Sequence, residues 1–258
     1  RSILKYTYTI MGTNKKTKRS RANKQKIPIL SEDQSYNIYI ICKNKQIFED
    51  KVSTLDRYNH KIHKCHYVPA VFLKDTPKNR KLTKKLHTRH NTHMTKRLRK
   101  LGCIYAHRKA LKQIVANKTD NNIILEEDAT LDHVLPNPPK KSSYLGGWIV
   151  PPQITLAGKQ KIKVPNLKSG LNEIDFDSFQ VLMAHAYYMK THEFAKQILE
   201  SIDKPGKIKN YDVHLMDHRF LKEFYYPAIF VQGKHISDIE GVISRNDLRT
   251  HNYGLDLD

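Results

Sequence analysis

Residues 122–128 read Asn122-Ile123-Ile124-Leu125-Glu126-Glu127-Asp128. Three aliphatic residues bounded by three acids describe a short buried strand that ends abruptly. It is the most buried-looking strand in the chain. Immediately upstream, Leu98, Leu101, Ile104, Tyr105, Leu111 and Val115 recur at helical spacing, which predicts a helix over 98–115. Further upstream, Tyr36–Cys42 is a β-branched and aromatic run and predicts the first strand. A helix is expected over about 49–59. A second strand is expected over His66–Leu73, with Pro69 pushing it toward an edge. Downstream, Tyr144–Val150 reads as a strand after the Pro-rich loop 136–139, and 152–175 as loop. Phe179–Ile202 reads as one or two helices with Phe179, Leu182, Met183, Phe194, Ile198 and Leu199 turned inward. Tyr225–Val231 is a late strand, and the chain beyond Ser237 is polar. Strands and helices interleave, so the expected class is α/β with crossover helices. No internal repeat is visible.

The chain has 258 residues, 39% of them hydrophobic, with a mean hydropathy of −0.64. That is enough to bury a core and a ligand cleft. No stretch reaches the roughly 18 apolar residues of a membrane helix, and no signal peptide is expected, since the first residues form no apolar h-region. Three cysteines (Cys42, Cys65, Cys103) are too few for a disulfide framework and point to free thiols in a reducing compartment. The expected location is the cytoplasm. Abundant Lys, Asn and Ile point to an A+T-rich genome, such as that of a large virus or a microbe. In the viral case the cytoplasm would be the host's.

Net charge is +21, and it is unevenly placed. Residues 1–120 hold 30 Lys and Arg against 7 Asp and Glu, while 121–258 hold 16 against 18. A basic front joined to a near-neutral back fits an enzyme whose basic half faces phosphates or an anionic partner. Residues 1–35 are expected to form a basic, disordered tail, and 36–258 a single domain. The tail's core, 11–28, reads either as a solvated segment, as a localisation signal, or as a peripheral anchor on anionic surfaces. The chain begins with Arg1, with Met11 the first methionine.

Adjacent carboxylates repel, so three in a row do not serve stability. In open α/β sheets ligands bind beyond the carboxyl ends of strands. On an extended chain Glu126 and Asp128 face one way and Glu127 the other. Two hard oxygen ligands on one face suit Mg²⁺ or Mn²⁺, which can bridge a departing diphosphate. The alternative is an acidic turn leading into the next element. Upstream, Leu101-Gly102-Cys103-Ile104-Tyr105-Ala106-His107-Arg108-Lys109-Ala110-Leu111 offers a glycine at an expected helix start, where backbone can approach a phosphate. His107, Arg108 and Lys109 can add donors. A buried, satisfied His107 is the competing reading.

The pair G-C-x-x-A-H-x-x-A-L at 102–111 and I-L-E-E-D-A at 124–129 resembles glycosyltransferase family 25. Ala184-His185-Ala186-Tyr187-Tyr188-Met189, Tyr211-Asp212-Val213-His214-Leu215, Pro227–Gln232 and Ser237-Asp238-Ile239 are similar to its later motifs, in order. The resemblance spans about 36–240. It implies a GT-A-like nucleotide-sugar-binding fold with a mixed, mostly parallel sheet flanked by helices. It implies a hexosyltransferase using a nucleotide-sugar donor, UDP-linked, with Mn²⁺ or Mg²⁺ and a glycan or protein hydroxyl as acceptor. Glu126 and Asp128 become the metal ligands. Gly102, His107, Arg108, Lys109, Glu127 and His185 become donor-binding residues. Asp128 and His107 act at the reacting centre. Inverting transfer needs a carboxylate base, for which Asp212 is the candidate, with His214 and Asp238 behind it. A cap or turn acid is the other reading of Asp212. The chain departs from the pattern at Ala106, at Lys100, at Glu127 and in its opening strand, which lacks the family's Asn-Leu-Asp-Arg run.

Other clusters have weaker readings. His60, His63, Cys65 and His66 fit no standard zinc spacing. His87, His90 and His93 lie in the basic stretch 74–100, which has no apolar face. Gly146-Gly147-Trp148 could let a sugar stack on Trp148, or place it in the core or at a rim. Two rival functions stand beside the transferase. One is nucleic-acid binding through the basic half, although none of its standard signatures is present. The other is an inactive transferase-like scaffold, prompted by the departures.

Overall fold

The computed structural model describes residues 34–86, 92–150, 167–206 and 208–233. The basic stretch 1–33, His87, His90 and Asp238 lie outside the described residues. Strand β1 (Tyr36–Cys42) is buried along its whole length. It lies between β2 (Ile62–Pro69) and β3 (Asn122–Glu126), parallel to both. Helix α1 (Lys45–Leu55) joins β1 to β2 and starts four residues before the expected Glu49. The reason is its cap: the Asn44 side chain accepts the Ile47 N–H at 2.9 Å. The stretch expected to be a polar connection holds α2 (Pro77–Leu82), capped by Thr76 with Pro77 in its first turn. It also holds the start of α3 (Met94–Asn117), which runs into β3.

Strand β4 (Ala129–Leu131) follows the acids, then come β5 (Ser143–Tyr144) and β6 (Trp148–Val150). The single strand expected over 144–150 is thus two. Gly146 lies between them, where a Cβ would come within 2.1 Å of the Phe230 carbonyl oxygen. After β7 (Gly170–Glu173), residues 179–189 form β8 (Gln180–Leu182) and β9 (Ala186–Met189), not the expected helix. Only α4 (His192–Asp203) is helical there. All four residues of β9 are buried, so its sequence shows no alternation to mark it as a strand. Helix α5 (Tyr211–Asp217), β10 (Glu223–Tyr226) and β11 (Phe230–Gln232) are the last elements among the described residues, with Pro227 dividing the expected strand 225–231.

The main sheet has the order β2-β1-β3-β9-β5-β10-β7. Among the described residues three of its six pairings are parallel and three antiparallel, so it is mixed but not mostly parallel. Alternation along the central strands builds two core layers. Tyr39, Ile41, Ile124 and Tyr187 pack with α3, α4 and α5. Tyr36, Ile38, Ile40, Ile123, Leu125 and Tyr188 pack on the other face with Leu55 of α1. Among the described residues no helix is long and apolar enough to cross a membrane.

Candidate functional site

Because β1, β2 and β3 are parallel, their carboxyl ends lie on one side of the sheet. A cleft of about 400 Å³ opens there. Its walls are Ile41 and Lys43 at the end of β1, Ala70–Leu73 after β2, Glu126–Asp128 at the end of β3, and Leu98, Arg99, Gly102 and Cys103 of α3, together with Gln232. Phe72 stands at this cleft 60% exposed.

Each acid is held differently. Glu126 ends β3, and its Oε1 lies 2.8 Å from His107 Nε2 and 3.8 Å from Cys103 Sγ. Glu127 accepts the Lys43 backbone N–H at 3.0 Å and pairs with Lys43 Nζ at 3.0 Å. Asp128 Oδ2 accepts from Gln232 Nε2 at 2.7 Å. That contact exists because β11 pairs antiparallel with β4, which sets Gln232 opposite Ala129. Glu127 and Asp128 lie in a turn rather than on a continued strand. Among the described residues, no group of three ligand atoms within 4.8 Å includes Glu127 or Asp128.

His107 is fully buried. Its Nδ1 lies 3.1 Å from the Tyr187 hydroxyl, which lies 2.8 Å from the Tyr211 hydroxyl. The ring stacks on Tyr211 at 4.1 Å. A hydrogen-bonded chain thus runs from α5 through β9 and α3 to the carboxylate at the end of β3. Burial raises both tyrosines above the usual phenol range, so both remain protonated donors. The Cys103 thiol is pushed well up by burial first, then by Glu126 and Asp212. Burial also raises the Asp212 carboxyl, and Glu126 adds to the rise. On the opposite side, Lys51 donates to the Ala129 carbonyl at 2.7 Å. Burial lowers its ammonium, while Asp128 and Glu127 oppose that shift.

Several sequence-stretch candidates lie elsewhere. Gly102 lines the cleft but sits inside α3, not at its start. A Cβ there would meet the Val71 carbonyl oxygen at 2.3 Å, so the glycine serves close packing of α3 on the segment after β2. Arg108 and Lys109 line a second hollow with Lys84, Lys85 and Lys204. Arg108 grips Asp203 of α4 through two contacts of 2.6 and 2.7 Å. His185 lies beneath the acids. Its Nε2 is 3.2 Å from the Phe230 carbonyl oxygen, and its own carbonyl accepts the Glu126 N–H at 2.8 Å. Asp212 is in the first turn of α5, beside Glu126 and Cys103 but not among the cleft-lining residues. The cysteine and histidines of 60–66 form no three-ligand group among the described residues. His66 stacks on Tyr39 instead, at 4.4 Å. Lys43, Lys51, Gln232 and the Tyr187–Tyr211 pair were not identifiable as site residues from sequence. Lys43 offers one readable cue, as the first polar side chain past the carboxyl end of β1.

His214 has a structural setting. Ser201 Oγ donates to the Ile198 carbonyl at 2.7 Å, so the 2.8 Å contact with His214 is donated by Nε2–H. Burial lowers this histidine from 6.5 to about 4. An unfolded chain therefore binds one more proton between those pH values. The contribution is whole above pH 6.5 and is lost as pH falls toward 4, up to about 3 kcal/mol. Urea midpoints at pH 7 and 4.5 should separate steeply in wild type and less in His214→Gln. An identical separation in both would refute the assignment.

No family model matches this chain, and no curated protein gives a significant match.

Proposed function

We propose that the cleft binds a nucleotide-sugar and that the protein is a hexosyltransferase. One observation carries the reading. Two acids, Glu126 and Asp128, share a cleft wall with Lys43 and Arg99 at the carboxyl ends of three parallel strands. In open α/β sheets, ligands bind in the crevice beyond the carboxyl ends of the strands. The motif resemblance to glycosyltransferase family 25 adds weight, and the mixed sheet is compatible with a GT-A-like arrangement.

The donor set fits a hard cation that has a diphosphate as its other ligand. Such ions need only one or two carboxylates when phosphates supply the rest. Asp128, held by Gln232, and Glu126 would provide them. When bound, Mn²⁺ or Mg²⁺ would neutralise charge growing on the departing diphosphate. Glu127 fixes Lys43 at the end of β1, where its ammonium and Arg99 favour an anionic donor. Asp212 is the proposed base. It takes the acceptor hydroxyl proton as that oxygen bonds to the anomeric carbon and the bond from that carbon to the diphosphate breaks. Burial and Glu126 hold its carboxyl above the usual range, which makes it a stronger base than a solvated aspartate.

The test is ligand linkage. A UDP-hexose with Mn²⁺ should raise the melting temperature, and EDTA should cancel the rise. A donor screen with mass detection should then show transfer. A shift with oligonucleotide alone would replace this reading with nucleic-acid binding. Donor binding without transfer to any acceptor, or hydrolysis, would leave a scaffold.

A further inference from the structure

The geometry points to a zinc-class metal site made of Cys103 Sγ, His107 Nε2 and Glu126 Oε1. These atoms all lie within 4.8 Å of one another, so small side-chain shifts would gather them around a single ion. Cys103 and His107 are four residues apart on α3 and so share one helix face. Glu126 meets them from the end of β3. A thiolate, an imidazole nitrogen and one carboxylate oxygen form a borderline-soft set that selects Zn²⁺ or Co²⁺ over Mg²⁺ and Mn²⁺. Three protein ligands with one side open is also the pattern of zinc sites that keep a place for water or substrate. Here the open side is the cleft, because Cys103 and Glu126 are among its walls.

The surroundings are those of a ligand set held in place. Metal-bound histidines use their second nitrogen in a hydrogen bond that fixes the ring. His107 Nδ1 lies 3.1 Å from the Tyr187 hydroxyl, which is held in turn by Tyr211. With Nε2 on the ion, the ring proton resides on Nδ1 and Tyr187 accepts it. The 2.8 Å contact between Nε2 and Glu126 Oε1 needs a shared proton, and the ion would take that proton's place. The two atoms must then part to roughly 3.4 Å, an edge of a tetrahedron with bonds of about 2.1 Å. The Glu126 side chain is 28% exposed at the strand end and has room to move.

This site does not depend on the transferase reading, though it shares Glu126 with it. Zinc on the Cys–His–Glu set takes Glu126 from any oxygen-bound cation at Asp128, so Zn²⁺ should oppose Mn²⁺-dependent turnover. The decisive measurement uses no sugar. Metal-free protein is titrated with Co²⁺ and read by absorption. The expected result is intense tetrahedral visible bands with a thiolate-to-cobalt charge-transfer band, both erased by one equivalent of Zn²⁺. Cys103→Ser should lose the charge-transfer band and lower Zn²⁺ affinity at least about tenfold against a chromophoric chelator. Glu126→Gln should weaken Zn²⁺ binding while keeping the band. A charge-transfer band that persists in Cys103→Ser would place the metal on Cys42 or Cys65 and overturn the site. Weak octahedral spectra in wild type would overturn it as well. Circular dichroism of Cys103→Ser checks that its fold is retained, and Glu126→Gln provides an independent test if it is not.

Discussion

Asp128→Ala is expected to lose about a thousandfold or more in transferase turnover while keeping the wild-type fold. The transition state places growing negative charge on the departing diphosphate. Removing one of two protein oxygens that hold a neutralising cation costs several kcal/mol there, and about 4 kcal/mol corresponds to a thousandfold. The stability side is small. The Asp128 carboxylate accepts from Gln232, and one such bond is worth about 1 kcal/mol. The backbone contact that joins the acid turn to β11 uses the Asp128 carbonyl and the Gly233 N–H, at 2.8 Å, and survives the substitution. A melting temperature within a few degrees of wild type is therefore expected. Glu127→Gln makes the informative contrast. Its side chain reaches Lys43 rather than the proposed ion, so its loss of turnover should be far smaller. Initial rates on a UDP-hexose donor, with circular dichroism on each variant, decide the matter. Full activity in Asp128→Ala would remove the metal assignment.

What the sequence disclosed follows from where its physics is local. The strands at 36–42 and 122–126 were legible because β-branched runs with abrupt polar ends have few other uses. The helix was legible over 98–115 from its spacing, although its first turn from Met94 and its phase were not. His107 turns toward the sheet, and the next residue lies about 100° further round the helix. That rotation carries Arg108 and Lys109 to the hollow beside α4, away from the acids. Strand β9 was hidden because it is buried on both faces. Met183, at a φ of 83°, breaks the chain just before it in a way no propensity announces. The acid-rich end of β3 could be picked out, but not its partners. Lys43 lies 84 positions from Glu127, and Gln232 lies 104 from Asp128. Only the strand pairing brings them together.

Gly102→Ala sets two physical effects against each other and should be the most destabilising single methyl in the cleft wall. In an exposed helix interior the change stabilises by about 1 kcal/mol, since alanine has the best helix propensity and glycine nearly the worst. Here the added carbon would sit 2.3 Å from the Val71 carbonyl oxygen, which is backbone and has no rotamer to change. Either α3 or the segment 70–73 must retreat. Overpacking of that kind costs about 1–3 kcal/mol, with backbone contacts at the upper end. The net expectation is a loss of about 2 kcal/mol, or several degrees in melting temperature. The displacement would reach the chemistry too. Cys103 is the next residue and His107 lies little more than one turn on, so a shift of α3 moves both relative to Glu126. Donor binding and Co²⁺ binding should weaken together in Gly102→Ala, whereas Arg108→Ala, on the α4 side of the same helix, should leave both unchanged. A Gly102→Ala protein that melts higher than wild type would mean that propensity wins and that α3 does not bear on the chain after β2.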